Sequence, residues 1–261
     1  MIIINIQNKV IIITGAANGI GKAIAQTVTK YNAIAVIADL DFEGAEKVAK
    51  ELIEQQKESF AVYVDVTKRE SVKNAVNKII EKYGRIDVLC NNAGVCIAGL
   101  MTEIDDKDWD FTMNINLKGA FIMAAEVAKT MMERRSGRII NTGSMAALRP
   151  EYANGVYCIS KAGLNMLTHV MAEELGKYNV SICAINPGYV NTELMKQTYE
   201  TRGPMEGMTA EEYKQSLTNQ IPFRRIPEPE EIGELVSILC DDRMYYMHGS
   251  ALIFNGGRVM R

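Results

Sequence analysis

The chain has 261 residues, of which 48% are hydrophobic and 23% charged, a balance that is typical of globular enzymes and excludes a disordered protein. Its 29 basic and 32 acidic residues are interspersed and leave a net charge of -3, so we expect no nucleic-acid partner and no membrane partner. No apolar stretch of about 18 residues occurs and the first residues carry no basic leader, which together predict a cytoplasmic protein.

Residue types that bind metals are few and scattered. The sequence has five cysteines without a C-x-x-C pair and two histidines, which favours a reducing compartment over a disulfide framework. No spacing among them matches a zinc site, so we predict that the protein holds no metal. This disfavours a zinc-dependent alcohol dehydrogenase.

Short apolar runs alternate with segments of helical periodicity along the whole chain. Seven runs predict strands, at residues 10–13, 33–38, 60–64, 86–90, 138–140, 180–185 and 251–254. Helical periodicity lies between most of them, including residues 20–30, 43–54, 71–83 and 162–175. Nearly unbroken apolar strands alternating with helices predict a parallel sheet covered on both faces. We therefore expect an α/β fold of about seven strands in one domain, residues 1–261.

A glycine-rich turn joins the first predicted strand to the first predicted helix. Glycines let the backbone approach a pyrophosphate, and the free N–H groups at the start of a helix bind its negative charge. The turn predicts a Rossmann-type, doubly wound fold with a dinucleotide site at Gly15, Asn18, Gly19, Ile20 and Gly21. Its spacing, G-x-x-x-G-x-G, differs from the commonest dinucleotide fingerprint.

An acidic residue stands at the end of the second predicted strand. Asp39 follows Gly21 by 18 positions, close to the separation of about 20 that places a carboxylate beside the adenosine ribose. A carboxylate there repels a 2′-phosphate, and neither Leu40 nor Phe42 supplies a compensating charge. The sequence therefore predicts NAD(H) rather than NADP(H), with Asp41 as an alternative for the acidic position.

Four polar residues could meet at the carboxyl edge of the sheet. Tyr157 and Lys161 are four apart on a predicted helix and share one face of it. Ser144 follows the fifth predicted strand, and Asn116 lies in the segment before that strand. We treat these four residues as the candidate catalytic set.

Taken in order, these motifs resemble the signature of the short-chain dehydrogenase/reductase family over essentially the whole chain. The matching segments are the glycine-rich turn, Asn91-Asn92-Ala93-Gly94, Asn116, Ser144, Tyr157 with Lys161, and Asn186-Pro187-Gly188. The resemblance implies an NAD(H)-dependent enzyme that interconverts a secondary alcohol and a ketone by hydride transfer.

The resemblance also implies a role for each residue of the set. Tyr157 would be the general acid/base, and Lys161 would lower its pKa and hold the nicotinamide ribose. Ser144 would hydrogen-bond the reacting oxygen, and Asn116 would support a proton relay. Further cofactor contacts implied by the family are Asp65, Val66, Asn92, Gly94, Pro187, Gly188, Val190 and Thr192. Together with the apolar faces of residues 113–132 and 162–171, the family implies a homotetramer.

The segment 191–225 carries Gly203-Pro204, Gly207 and Pro222 and interrupts the last strand-to-helix connection. An insertion of this length predicts a substrate-binding loop. Candidate pocket residues besides this loop are Val95, Cys96, Met145, Arg149, Glu151, Tyr152 and Tyr189. Their mixture of polar and apolar groups favours a small hydroxylated substrate such as a polyol, sugar, diol or hydroxy acid.

Alternatives to this function remain open. A 3-oxoacyl-acyl-carrier-protein reductase or a hydroxysteroid dehydrogenase would share the same signature. The carrier-protein enzyme normally prefers NADPH, against which Asp39 argues, and it needs a basic docking patch. A relative that binds nucleotide but has lost activity is the alternative outside enzymes, and the intact catalytic set argues against it.

Overall fold

One parallel sheet forms the centre of the computed structural model, which describes residues 4–260. Its strands are β1 Val10–Thr14, β2 Ile34–Asp39, β3 Ser59–Tyr63, β4 Val88–Asn91, β5 Gly137–Thr142, β6 Val180–Pro187 and β7 Ala251–Phe254. They lie in the order β3-β2-β1-β4-β5-β6-β7, and every neighbouring pair is parallel. Each predicted strand overlaps one of these strands, so the predicted parallel sheet is confirmed.

Helices cover both faces of the sheet. In the described part of the chain they are α1 Gly19–Lys30, α2 Phe42–Glu54, α3 Arg69–Tyr83, α4 Asp106–Met113, α5 Ala120–Arg134, α6 Gly155–Leu175, α7 Glu193–Met205, α8 Ala210–Asn219 and α9 Pro229–Leu239. α1, α2 and α9 pack on one face, and α3, α5 and α6 pack on the other. The expected Rossmann-type architecture is therefore present.

The central strand shows why its sequence is apolar without a break. Ile11 and Ile13 of β1 belong to the core on the α1 face, whereas Val10 and Ile12 belong to the core on the α5 face. Successive side chains of a strand point to opposite faces, so a strand covered on both sides must be apolar at every position.

The segment 191–225, predicted as a loop, is mostly helical. Thr192 caps α7 by accepting a hydrogen bond from the backbone N–H of Met195, and Thr209 with Glu212 forms a capping box at α8. Of the residues that suggested a loop, Gly203, Pro204 and Gly207 lie at the end of α7 and in the turn after it, where Gly207 has a φ of +72°, and Pro222 lies after α8. The segment is therefore not an irregular loop, and its role in substrate binding stays a prediction.

Burial stabilises these two helices against the rest of the molecule. Their apolar side chains form a third, smaller cluster, made of Met145, Tyr189, Tyr199, Tyr213, Leu217 and Ile221. Because this cluster joins α7 and α8 to residues that follow β5 and β6, the helical pair is a fixed wall beside the carboxyl edge of the sheet.

Candidate active site

A cleft of about 800 Å³ opens at the carboxyl ends of the strands, where β1 lies between β2 and β4. The order of strands reverses at this point, and ligands of doubly wound folds bind in the crevice outside such a reversal. Every predicted site residue except Gly21 and Asn116 lines the cleft. The topology therefore brings together residues that are spread from Gly15 to Thr192 in the sequence.

The glycine-rich turn brings backbone close to backbone. Gly15 has a φ of +64°, and a Cβ there would lie 2.9 Å from the Cα of Ala93. No side chain caps the start of α1 at Asn18, so its first N–H groups are available to an anion. Gly19 and Ile20 follow Asn18 along the wall of the cleft.

Gly21 lies behind the glycine-rich turn and not on the surface of the cleft. A Cβ at this position would lie 2.1 Å from the backbone oxygen of Gly15 and 2.8 Å from Nδ2 of Asn92. Gly21 is buried behind the turn and does not line the cleft. Its missing side chain allows α1 to pack against the turn, and its contact with the cofactor stays a prediction.

Thr14 and Asn92 join the ends of β1 and β4. Thr14 Oγ1 accepts hydrogen bonds from the backbone N–H groups of Asn92, at 2.9 Å, and Ala93, at 3.0 Å. Asn92 Nδ2 donates in return to the backbone oxygen of Thr14 at 3.1 Å. These bonds set the position of Asn92 and Gly94 in the cleft wall.

The end of β2 presents one carboxylate to the cleft. Asp39 Oδ2 accepts from the backbone N–H of Ala17 at 2.9 Å, and Oδ1 accepts from that of Asp41 at 3.0 Å. Asp41 instead caps α2, since its Oδ1 accepts from the backbone N–H of Gly44 at 3.0 Å. Asp39 lines the cleft and Asp41 does not, which favours Asp39 over the alternative.

The segment after β3 lines the cleft beside the end of β2. Asp65 Oδ1 accepts from the backbone N–H of Thr67 at 2.9 Å and from its hydroxyl at 2.6 Å, so the carboxylate orders its own turn. Val66 lies beside it. Other residues of this wall, Lys68, Phe111 and Lys118, were not predicted from the sequence. No spacing marked them, because they reach the cleft from separate turns and helices.

Tyr157 and Lys161 lie on α6, as predicted. Lys161 Nζ donates to the backbone oxygen of Thr142 at 2.8 Å and lies 5.7 Å from the centroid of the Tyr157 ring. Burial lowers the pKa of Lys161 to about 8. Burial also raises the pKa of Tyr157 above its ordinary value, and a hydrogen bond with Ser144 opposes that rise.

Ser144 follows β5 and points its hydroxyl toward the tyrosine. Its backbone N–H donates to Asn186 Oδ1 at 3.0 Å, and its Oγ accepts from the backbone N–H of Ala146 at 3.1 Å. The second bond caps a single 3₁₀ turn, Met145–Ala147. The serine side chain is thus held by local backbone geometry beside Tyr157.

Asn116 lies behind the cleft and does not line it. It is fully buried in a π-helical turn, Asn114–Gly119, that joins α4 to α5. Its side-chain Oδ1 accepts a hydrogen bond from the backbone N–H of Val95 at 2.8 Å. Its Nδ2 donates to the backbone oxygen of Val95 at 2.9 Å and to Ser160 Oγ at 3.0 Å. A Cβ on Gly94 would lie 3.3 Å from Asn116 Oδ1 and 3.4 Å from Lys161 Nζ. Asn116 therefore fixes the wall next to Lys161, and its relay role stays a prediction.

The candidate pocket residues fall into separate groups. Val95 lines the cleft, while Cys96, Glu151 and Tyr189 belong to a polar cluster beside Tyr157. Met145 packs in the apolar cluster under α7 and α8. Two others, Arg149 and Tyr152, are exposed. Arg202, which pairs with Glu151, was missed because its segment carried the turn signals of a loop.

Two further properties concern only residues 4–260. None of the helices is both long and apolar enough to cross a bilayer. No three His, Cys, Asp or Glu side chains in this range are grouped so that they could hold a metal ion.

Comparison with known proteins identifies the family from the sequence. Residues 9–203 match the family described as short chain dehydrogenase. The chain is 32% identical to the 3-oxoacyl-acyl-carrier-protein reductase of Thermotoga maritima, covering 98% of this chain and 99% of the relative. It is 34% identical to the NAD-dependent glycerol dehydrogenase of Listeria innocua, covering 98% and 96%.

Solved structures agree with the sequence relatives. L-sorbose reductase from Gluconobacter frateurii, solved with NADPH and L-sorbose, superposes with a TM-score of 0.92 and is 30% identical, with full coverage of both chains. A putative gluconate dehydrogenase from Agrobacterium tumefaciens superposes with a TM-score of 0.91 and is 27% identical, again with full coverage.

Proposed function

Because the chain belongs to the short-chain dehydrogenase/reductase family and is an oxidoreductase, we propose that it interconverts a secondary alcohol and a ketone with NAD(H), on a small hydroxylated substrate. The observation that carries the cofactor part is the carboxylate of Asp39 at the end of β2. The proposed substrate class is supported by the negative charge of α7 and α8.

Asp39 supports NAD(H) because its carboxylate can accept hydrogen bonds from ribose hydroxyls and would repel a 2′-phosphate. Its oxygens already accept from two backbone N–H groups, and a carboxylate has room for further donors such as ribose hydroxyls. A 2′-phosphate in the same place would face a negative charge, and the next residue, Leu40, is exposed and cannot pair with it. The similar proteins include one named as NAD-dependent and one solved with NADPH, so the proposed preference for NAD(H) rests on Asp39.

The residues of the cleft fit a nicotinamide dinucleotide along its length. We assign the adenine end to Asp39, Asp65 and Val66, and the pyrophosphate to Gly15 and the start of α1. The uncapped α1 supplies free N–H donors for that charge. At the nicotinamide end the assigned residues are Asn92, Gly94, Tyr157, Lys161, Pro187, Gly188, Val190 and Thr192. When bound, the nicotinamide ring gives or accepts the hydride.

Tyr157 is the proposed proton-transfer group at the reacting oxygen. Its burial favours the neutral phenol, so forming the phenolate during alcohol oxidation requires nearby positive charge. Lys161 supplies one such charge from the next helical turn, and Thr142 holds its ammonium. Ser144 donates to the substrate oxygen as negative charge develops there.

The charge of α7 and α8 favours a small substrate over an acyl chain carried by a protein. Four glutamates on these helices are exposed, at 193, 200, 211 and 212, and Glu206, directly after α7, is exposed as well. Against them stand only Lys196 and Lys214, because Arg202 is buried. This wall lacks the basic patch that a carrier-protein reductase needs. Polyol, sugar and hydroxy-acid names among the similar proteins agree with the smaller substrate class.

We further propose one catalytic domain, whose segment 191–225 walls the substrate end, and a homotetrameric assembly. Thr192, Glu193, Leu194, Met195 and Gln197 of this segment line the cleft. Large apolar side chains stay exposed on the outer face of α6, where Ile159, Met166 and Val170 share one side. Such faces would be covered by a second copy of the chain.

A screen of alcohols tests the proposed function. Purified protein with NAD is offered glycerol, other polyols, sugars, diols, hydroxy acids and a hydroxysteroid, and formation of NADH is followed by absorbance. We expect turnover with at least one small hydroxylated compound and none with Tyr157→Phe. Turnover confined to the steroid or to an acyl thioester would contradict the substrate class, and no turnover with NAD or NADP would support an inactive relative.

A further inference from the structure

A buried polar cluster joins α7 to the loop before the catalytic helix. At its centre, Arg202 Nη1 donates to Glu151 Oε2 at 3.1 Å, with the two side chains only 5% and 13% exposed. Tyr189, from the segment after β6, donates its hydroxyl to Glu151 Oε1 at 3.2 Å. One carboxylate thus holds groups from two other parts of the chain.

Hydrogen bonds also connect the carboxylate of Glu151 to the loop that follows β4. Asn154 Nδ2 donates to Glu151 Oε2 at 3.1 Å, and the thiol of Cys96 donates to Asn154 Oδ1 at 3.1 Å. On the other side, the guanidinium of Arg202 lies 5.5 Å from the centroid of the Tyr213 ring on α8. The cluster therefore runs from the loop after β4 to both helices of the substrate wall.

The loop that carries Glu151 is held in a strained conformation. Ala153 has a φ of +50°, a region that residues with a Cβ seldom occupy. Its backbone oxygen accepts from the backbone N–H of Gly99 at 2.9 Å, next to the cluster. Strain of this kind persists only where surrounding contacts hold it, and it is concentrated at functional sites.

Stability alone does not account for a buried ion pair. Desolvating two charges costs about as much as their attraction returns, and apolar replacements of similar volume are often neutral or stabilising. Removing only one partner of the pair, in contrast, leaves the other as an unpaired buried charge. The pair is better explained by the position that it imposes on the segments it joins.

We propose that the Glu151–Arg202 ion pair is a positioning device, which ties α7 to the start of the catalytic helix and so sets the substrate wall beside Tyr157. The role of this wall in substrate binding rests on the proposed function. The tie itself does not, because it follows from contacts in the unliganded protein.

The pair also contributes to the electrostatic environment of Tyr157. The ionisable groups near that phenol include Lys161 and Cys158 on α6, Cys96 after β4, and Glu151 before α6, and Glu193 on α7 lines the same cleft. After burial, the charge of Glu151 is one of the groups that raise the pKa of Tyr157. Arg202 offsets that charge, so the two partners should act on Tyr157 in opposite directions.

Hydrogen exchange of the unliganded protein tests the tie without any substrate. We expect backbone amides of residues 193–205 to exchange at least about tenfold faster in Glu151→Gln and in Arg202→Met. The matched control is Arg225→Met, which breaks the exposed pair of Arg225 with Glu231 and should leave α7 unchanged. Unchanged exchange in both cluster variants would overturn the proposal.

The double variant Glu151→Gln/Arg202→Met separates the tie from the unpaired charge. It leaves no buried charge alone, so it should fold even if a single variant does not. We expect α7 to exchange faster in the double variant as well, because the tie is absent. Exchange restored to the wild-type rate would show that the unpaired charge caused the effect, and the proposal would be wrong.

Kinetics on an alcohol found in the screen give a second readout. We expect the alcohol KM to rise about tenfold in both single variants while kcat falls less than about threefold. The midpoint of the pH profile for oxidation should move down in Glu151→Gln and up in Arg202→Met, since only the first removes negative charge. Shifts in the same direction would contradict the account. If no alcohol is oxidised, the proposed function fails, and the exchange experiment still decides this inference.

Discussion

The ammonium of Lys161 lies 5.7 Å from the centroid of the Tyr157 ring, one turn further along α6. Lys161 is buried and Tyr157 is half-buried, and desolvation lowers the pKa of Lys161 to about 8 while raising that of Tyr157. In the unliganded protein the neutral form of each group is favoured relative to water. We propose that the charge of Lys161 offsets part of the cost of forming the phenolate of Tyr157.

Replacing the phenol tests its proposed role directly. Tyr157→Phe keeps the ring and its packing but removes the hydroxyl that hydrogen-bonds with Ser144. We expect turnover to fall by about 10²- to 10⁴-fold, the usual contribution of a general acid/base, with little change in NADH binding. Steady-state rates and NADH fluorescence titration measure the two effects. A variant that keeps more than about a tenth of wild-type activity would remove Tyr157 from this role.

Lys161 should lower the stability of the fold at neutral pH. Its pKa is about 8 in the folded protein, against about 10.4 in an unfolded chain, so the unfolded chain binds more protons between these values and stability rises with pH there. Lys161→Met removes this cost, and we expect the free energy of unfolding at pH 7 to rise by about 1 to 3 kcal/mol. The advantage should shrink as the pH rises from about 8 to about 10 and be nearly absent above that range.

Urea denaturation at pH 7 and pH 10 measures this difference. Lys50→Met, at an exposed lysine of α2, is the control for losing a charge at the surface. Since Lys161 is proposed to act at the reacting centre, the stabilised variant should also be inactive. A variant less stable than the wild type at pH 7 would mean that the bond to Thr142 outweighs the desolvation of the ammonium.

The exposed apolar face of α6 predicts how the assembly can be broken. Met166 is 60% exposed and Val170 is 48% exposed, on the same side of the helix. We expect the wild type to be a tetramer by light scattering, and Met166→Lys/Val170→Glu to form smaller species. Ile53→Lys, at an exposed apolar position on α2, should leave the assembly intact. A wild type that is monomeric at micromolar concentration would contradict the homotetramer.

The strands were predictable because burial on both faces leaves a simple trace in the sequence. Residues such as Ile11, Ile12 and Ile13 have no alternative to apolar side chains once helices cover both faces of the sheet. The glycine turn and Asp39 were predictable for a related reason, since their spacing along one strand–helix–strand unit fixes their separation in space.

Other features were not predictable because they depend on contacts between distant segments. Gly203-Pro204 and Gly207 suggested a loop, but caps at Thr192 and Thr209 and the burial of Tyr199 and Tyr213 make two helices. Arg202 looked like one more charge on that segment until α7 turned it toward Glu151. The π-helical turn that withdraws Asn116 from the cleft leaves no mark in the spacing of its residues.

We propose that the choice of cofactor depends on Asp39. The variant Asp39→Ala/Leu40→Arg removes the carboxylate and adds a guanidinium that can pair with a 2′-phosphate. Each hydrogen bond from a ribose hydroxyl to the carboxylate should contribute about 1.5 to 3 kcal/mol, and the same charge disfavours the phosphate. We therefore expect the wild type to favour NAD over NADP by a factor of about 100.

The ratio of kcat/KM for NAD to that for NADP, measured in the wild type and in Asp39→Ala/Leu40→Arg with one alcohol, tests the central claim most directly. We predict a ratio of about 100 in the wild type and a value below about 1 in the variant, because the attraction of the ribose and the repulsion of the phosphate are lost together. A wild type that uses both cofactors equally, or a ratio that does not change in the variant, would contradict NAD(H) dependence through Asp39.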